Sequence, residues 1–259
     1  KLETLNNPFD TTFRIPLTLT SKNYGKSENS LKKMDDGPFS IRSDLIVPTE
    51  AILLDRPYLI NQIEQKLNEK QDIQIVALVG IGGAGKSTVA RYYARQQSAK
   101  VIWEIHADTK RNLINSFENL AYALSITEED KKILRALQEI KNPHEKEKKI
   151  IFFVRERLKL HSEWLLIYDN VESFTDIQKY FPYDVNVWGK GKVIITTRNT
   201  NIQNNSQINN IIQMAELDYN ESLSLFIKIM HNGDIHKITS TEEGHTQKFL
   251  NDIPHFPLD

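Results

Sequence analysis

Four glycines fall within six residues, Gly80, Gly82, Gly83 and Gly85, in the run Gly-Ile-Gly-Gly-Ala-Gly-Lys-Ser-Thr that ends at Thr88. From Gly80 to Ser87 the pattern GxxxxGK[ST] is filled without a gap. The chemistry such a run offers is polyphosphate binding. Across Gly82, Gly83, Ala84 and Gly85 the backbone N–H groups are free to turn inward around phosphate oxygens, where larger side chains would collide. A helix beginning at the end of the run aims its partial positive charge at the same anion. Lys86 reaches the β- and γ-phosphates as a point charge, and the Ser87 hydroxyl is placed to ligate Mg²⁺.

Two further positions could act on the same phosphates. Asp169 closes the apolar run Trp164-Leu-Leu-Ile-Tyr168, and Arg198 closes Lys192-Val-Ile-Ile-Thr-Thr197. Ligands of open parallel sheets lie at the carboxyl ends of the strands. There Asp169 would hold Mg²⁺ and Arg198 would sense a γ-phosphate through charge-assisted hydrogen bonds. Taken alone, Asp169 also reads as the cap of a strand-to-helix turn and Arg198 as a solvated arginine. Asn170 stands beside Asp169, where many ATPases of this layout carry a second acid that polarises the attacking water, and an amide accepts a proton poorly. Glu172 is the nearby acid and reads equally well as an exposed turn residue. The expectation is slow hydrolysis or none.

The elements that would position these residues alternate along the chain. Ile73–Val79 is β-branched, apolar and of strand length, and Thr88–Arg95 reads as a helix, so the glycine run has the strand–loop–helix context its chemistry requires. Before it, Leu59, Ile60, Ile63 and Leu67 recur at helical spacing within 55–67, with Pro57 in the first turn. After it, strands are predicted at 101–105, 164–168, 192–197 and 210–214, and helices at 111–124, 128–140, 144–160, 219–231 and 241–251. Alternating strands and helices imply an α/β fold with a parallel sheet and helices on both faces. Residues 1–45, rich in Asn, Ser, Thr, Lys and Gly, read as a linker or N-terminal extension. Within them the alternation in Phe13–Leu19 suggests an edge strand broken at Pro16.

Composition removes several classes of function. Lys+Arg number 33 against 34 Asp+Glu, a formal net charge of -1, with no basic excess for nucleic acid. No apolar run approaches the roughly 18 residues of a membrane span, and no signal-peptide plan opens the chain, which reads as soluble, intracellular and cytoplasmic. With no cysteine there are no disulfides or thiolate metal sites. The seven histidines include no HExxH and no pairing with a carboxylate at ligand spacing along the chain. The start at Lys1 and the stop at Asp259 in mid-pattern lead us to expect a piece of a longer protein.

Taken in order, six segments resemble one family: LLDR at 53–56, GIGGAGKST at 80–88, WLLIYDNVES at 164–173, KVIITTRN at 192–199, MAELDYNESLSLF at 214–226 and IPHFPLD at 253–259. The set is similar to the NB-ARC module, the nucleotide switch of plant disease-resistance receptors and of the apoptotic protease-activating factor, within the STAND class of P-loop NTPases. The resemblance implies a nucleotide-binding domain over 46–215 and the start of a small helical domain over 216–259. Leu54 and Arg56 would border the adenine, and Lys86, Ser87 and Thr88 would contact phosphate and Mg²⁺. Asp169 would be the Walker B aspartate, Arg198 the sensor arginine, and Pro257 the proline that packs on the base. His255 departs from the family's usual glycine, and Asn170 from its common Asp-Asp pair. The implied ligands are ADP or ATP with Mg²⁺. The implied function is a molecular switch within a larger signalling protein, a homo-oligomer when activated, with further domains of the same protein as partners. An actively turning-over ATPase or small-molecule kinase is the alternative, although no Arg-rich lid is visible. No NKxD motif supports a GTPase.

Overall fold

A computed structural model describes residues 40–69, 73–161, 163–208 and 210–231, together with positions 245, 246, 248–250 and 252. The alternation in Phe13–Leu19 and the proline at Pro257 lie outside the described residues.

Six parallel strands form one sheet. In chain order they are β1 (Ile41–Arg42), β2 (Gln74–Val79), β3 (Val101–His106), β4 (Trp164–Asp169), β5 (Gly191–Thr197) and β6 (Asn210–Gln213), and across the sheet they run β1-β3-β4-β5-β2-β6. The helices are α1 (Pro57–Leu67), α2 (Lys86–Arg95), α3 (Lys110–Leu124), α4 (Glu128–Gln138), α5 (Pro143–Leu158), the four-residue α6 (Phe174–Ile177) and α7 (Val185–Trp188), and α8 (Tyr219–His231). Most limits fall within one or two residues of those expected from the sequence. Two differences stand out. Ile41–Arg42, within the stretch read as a linker, pairs with Val101 and Ile102, and Leu45 is buried, so the sheet starts ahead of residue 46. α6 and α7 were not expected, because four residues are too few for a 3.6-residue period to show.

The strands are buried on both sides, as parallel strands between two helical layers must be. Successive residues therefore enter two different cores. Ala77 and Val79 of β2, with Trp164, Leu166 and Tyr168 of β4, join Phe117, Leu120, Phe153 and Val154 of α3 and α5. Val76 and Leu78, with Leu165 and Ile167, join Ile63 and Leu67 of α1 and Ala90 and Tyr93 of α2. This period of two holds β2 and β4 in register, because a slip of one residue would exchange the two cores. Local signals fix the helix starts. The Thr109 hydroxyl accepts from the Asn112 N–H, and Thr127 and Asp130 form a reciprocal capping box. Asn142 caps α5 with Pro143 at its first turn.

Candidate phosphate and metal site

β2 delivers the chain to the carboxyl edge of the sheet, and α2 begins six residues after Gly80, at Lys86. Between them Gly83 and Gly85 have φ of 77° and 78°, the left-handed region open to glycine, with Gly85 at the N-cap of α2. A side chain at Gly82 would meet the Arg198 guanidinium, whose Cζ lies 2.9 Å from where a Cβ would stand. Arg198 therefore lies on the loop itself. Lys86 is 5% exposed, and its ammonium donates to the Ile81 carbonyl at 2.6 Å, spanning the loop. Ser87 and Thr88 follow in the first turn of α2, half-buried.

Two strands away, β4 ends on Asp169, which is 8% exposed. Its Oδ1 accepts from the Thr196 hydroxyl of β5 at 2.7 Å, and its Oδ2 accepts from the Arg91 guanidinium of α2 at 3.2 Å. Arg91 also donates to Oε1 of Glu104 on β3, at 2.8 Å from Nε. Because β3 and β4 are paired with His106 opposite Asp169, the imidazole enters the same group, and one ligand atom each from Glu104, His106 and Asp169 lie within 4.8 Å of one another. A cavity of about 250 Å³ opens there, lined by His106, Asp108, Asn112, Asp169 and Asn170. Asn170 is, among the described residues, the one non-glycine with positive φ, at 58°. Its N–H donates to the Thr196 hydroxyl at 2.8 Å, so Thr196 orients both Asp169 and the turn that follows it.

Arg56 precedes α1, and its side chain is 8% exposed. Its guanidinium donates to both carboxylate oxygens of Glu221 on α8, at 3.0 and 3.3 Å, and to the Ala84 carbonyl of the glycine loop at 3.4 Å. The Lys228 ammonium of α8 donates to the Leu53 carbonyl at 2.6 Å and pairs with Asp55. Leu54 lies half-buried between these anchors.

The structure thus gathers the glycine loop, Lys86, Arg198 and the Arg56 segment, and sets Asp169 and Asn170 at the same edge of the sheet. Arg91, Glu104, His106, Thr196 and Glu221 went unread. Their signals were a charged residue inside the otherwise apolar strand Val-Ile-Trp-Glu-Ile and a second basic residue on the phosphate helix. The donor set fits Mg²⁺. Ser87 and Asp169 would offer hard oxygen ligands, and Gly83 and Gly85, at positive φ, carry no side chain into the loop. No helix among the described residues is long and apolar enough to cross a membrane.

Among curated proteins no sequence matches this chain. Solved structures do. A Signal Transduction ATPase with Numerous Domains (STAND) protein with a tetratricopeptide repeat sensor, from Pyrococcus horikoshii, aligns at 15% identity and a TM-score of 0.45, over 78% of this chain and 28% of its own. Cdc6p from Pyrobaculum aerophilum aligns at 16% identity and a TM-score of 0.53, over 84% of this chain and 59% of its own, a likeness of fold. This chain thus spans less than two thirds of either. Residues 56–235, more than half the chain, match the profile of the NB-ARC domain, running from the Arg56 anchor through the glycine loop and Asp169 to the end of α8. The chain belongs to the NB-ARC family of nucleotide-binding regulatory modules, whose P-loop bears nucleotide with Mg²⁺.

Proposed function

We propose that the chain is an ADP/ATP-binding molecular switch, the central module of a larger multidomain signalling protein, with slow or no hydrolysis of ATP. The observation that carries this reading is Arg56. One guanidinium joins the phosphate loop, at the Ala84 carbonyl, to helix α8, at Glu221. A change in the loop on binding phosphate is therefore felt directly by the first helix of the segment over 216–259, which we read as the beginning of a small helical domain. In this reading Gly82, Gly83, Ala84, Gly85, Lys86, Ser87 and Thr88 hold the phosphates, and Leu54, Arg56 and Pro257 border the adenine. Ser87 and Asp169 hold Mg²⁺, and Arg198 responds to a γ-phosphate. Bound Mg²⁺ would neutralise phosphate charge; the chain's residues position it. Further domains of the same protein are its partners, and activation drives homo-oligomerisation.

Slow hydrolysis follows from Asn170, an amide where a second acid would orient water. P-loop enzymes lacking such positioning or an added arginine forfeit on the order of 10³–10⁵ in rate. The alternative, an actively turning-over ATPase or kinase, draws its support from the cavity beside Asp169, where His106 and Asp108 could take that role.

Calorimetric titration with ADP, GDP and a non-hydrolysable ATP analogue tests the proposal. ADP and the ATP analogue are expected to bind with similar affinity, GDP not to displace ADP at equal concentration, and ATP to turn over well below one per second. Asn170→Asp, which keeps a side chain tolerant of positive φ, is expected to raise turnover. Displacement by GDP would overturn the adenine assignment, and rapid turnover would favour the ATPase.

A further inference from the structure

We propose that Arg91 is a built-in stand-in for the metal: a positioning residue whose guanidinium holds Asp169 until a divalent cation takes it over, and so sets the affinity of that cation. The inference rests on the reading that Asp169 takes part in holding Mg²⁺.

Both oxygens of Asp169 have a donor, but the two donors differ. Thr196 is a neutral hydroxyl on the adjacent strand, and its bond aims the carboxylate. Arg91 is a full positive charge, half withdrawn from solvent, standing where an incoming cation would find the second oxygen. Arg91 also lies four residues after Ser87 on α2, so it occupies the same helix face as the candidate metal ligand, one turn on. The residue that would bind the ion and the guanidinium that excludes it thus belong to one surface of α2.

Glu104 makes the exchange reversible. Its carboxylate, 5% exposed, takes Arg91 at 2.7 Å, closer than the 3.2 Å to Asp169. The planar fork of a guanidinium suits two carboxylates at once, and a lysine would not bridge them so. One guanidinium here serves two acids. When a divalent ion arrives, Arg91 has a buried partner to retain in Glu104, and the longer contact, to Asp169, is the one that must break. Removing Arg91 leaves two carboxylates facing the ion; neutralising Glu104 leaves Arg91 committed to Asp169.

The two members of one ion pair must therefore change metal affinity in opposite directions. A part played only in stability would move both variants the same way or neither. The probe is Mn²⁺, read by the electron paramagnetic resonance of the free ion in the presence of ADP. ADP affinity in excess chelator and circular dichroism serve as checks that each variant retains its fold and phosphate loop. Arg91→Gln is expected to tighten Mn²⁺ and Glu104→Gln to weaken it, each by about tenfold. Shifts of the same sign, or none in either variant, overturn the proposal. Arg91→Lys, which keeps the charge and loses the fork, is expected to fall between wild type and Arg91→Gln, and stands in if Arg91→Gln fails to fold. Asp169→Asn separates the two readings. If it leaves Mn²⁺ affinity unchanged, the metal assignment fails and this inference with it. If it weakens Mn²⁺ while the Arg91 and Glu104 variants do not diverge, the metal assignment stands and this inference alone is lost.

Discussion

The helical layer formed by α3, α4 and α5 and the carboxyl ends of the strands both hold buried carboxylates, but they satisfy them differently. In the helical layer Glu147 takes the Tyr180 hydroxyl and the Lys179 ammonium, and Asp130 closes a capping box with Thr127 while taking Arg157. Each acid there has partners of its own on regular backbone. At the strand ends a single guanidinium is divided between Glu104 and Asp169, and three residues, Gly83, Gly85 and Asn170, sit at positive φ. The first arrangement is complete in itself. The second is finished only by an incoming ligand, and conformational strain and shared charges gather where binding energy can offset them.

That contrast can be broken by substitution. The largest effect is expected in the helical layer: Phe117→Ala, which removes a ring packed on Tyr180 at 4.8 Å between centroids, should lower unfolding free energy by about 3–5 kcal/mol. Denaturant titration reads it, and ADP affinity of the folded protein should not move. Lys86→Ala should do the reverse. Loss of the charge opposite buried phosphate should weaken ADP by about 2–5 kcal/mol in calorimetry, with little change in the unfolding midpoint. A large stability loss with intact affinity would show that Lys86 belongs with the structural joints.

Glu221→Ala tests the connection between loop and α8. It deprives the Arg56 side chain, 8% exposed, of its carboxylate, at a cost of about 1–3 kcal/mol. Amide exchange should accelerate in α8 and stay slow in β2 and β5; uniform acceleration would mean that Arg56 supports the whole fold. The smallest effect is that of acid. The hydroxyl of Tyr93 holds the Glu64 carboxyl below its ordinary value of 4.5. Burial would raise Glu147, but Lys179 and Tyr180 overcome it and hold that carboxyl low as well. The folded chain thus binds fewer protons than the unfolded chain near pH 4.5, so this stability is present above that pH and lost as pH falls through the lowered values. Glu147→Gln should flatten the decline measured by denaturant titration as pH falls below about 4.5.

What the sequence disclosed and what it withheld divide along the same line. Local patterns were legible: the glycine run with its strand and helix, Asp169 at the end of an apolar run, and α8, whose limits of Tyr219 and His231 are those expected. What depended on strand order was not. Glu104 and His106 reach Asp169 because β3 lies beside β4 with His106 opposite Asp169, and nothing along the chain states which strands are neighbours. His106 shows no carboxylate at ligand spacing along the chain for that reason, since its pairing with Asp169 crosses strands. Arg56 and Glu221 lie farther apart still in the sequence, and their bond likewise depends on where α8 docks. β1 escaped because two residues cannot display an alternation.

β1 has a mechanical consequence. Its hold on the sheet includes the Ile41 N–H on the Lys100 carbonyl, the Arg42 guanidinium on the Gln97 carbonyl, the Ser43 N–H on the Ile102 carbonyl and the Ser43 hydroxyl, which accepts the Glu104 N–H. Tension applied to the chain ahead of residue 40 would unzip these bonds one after another, and the last to part is the one that reaches Glu104. A tug from outside the domain would thus arrive at the backbone of the residue whose carboxylate shares Arg91 with Asp169, and would bare an edge of β3 on which another strand could then be laid.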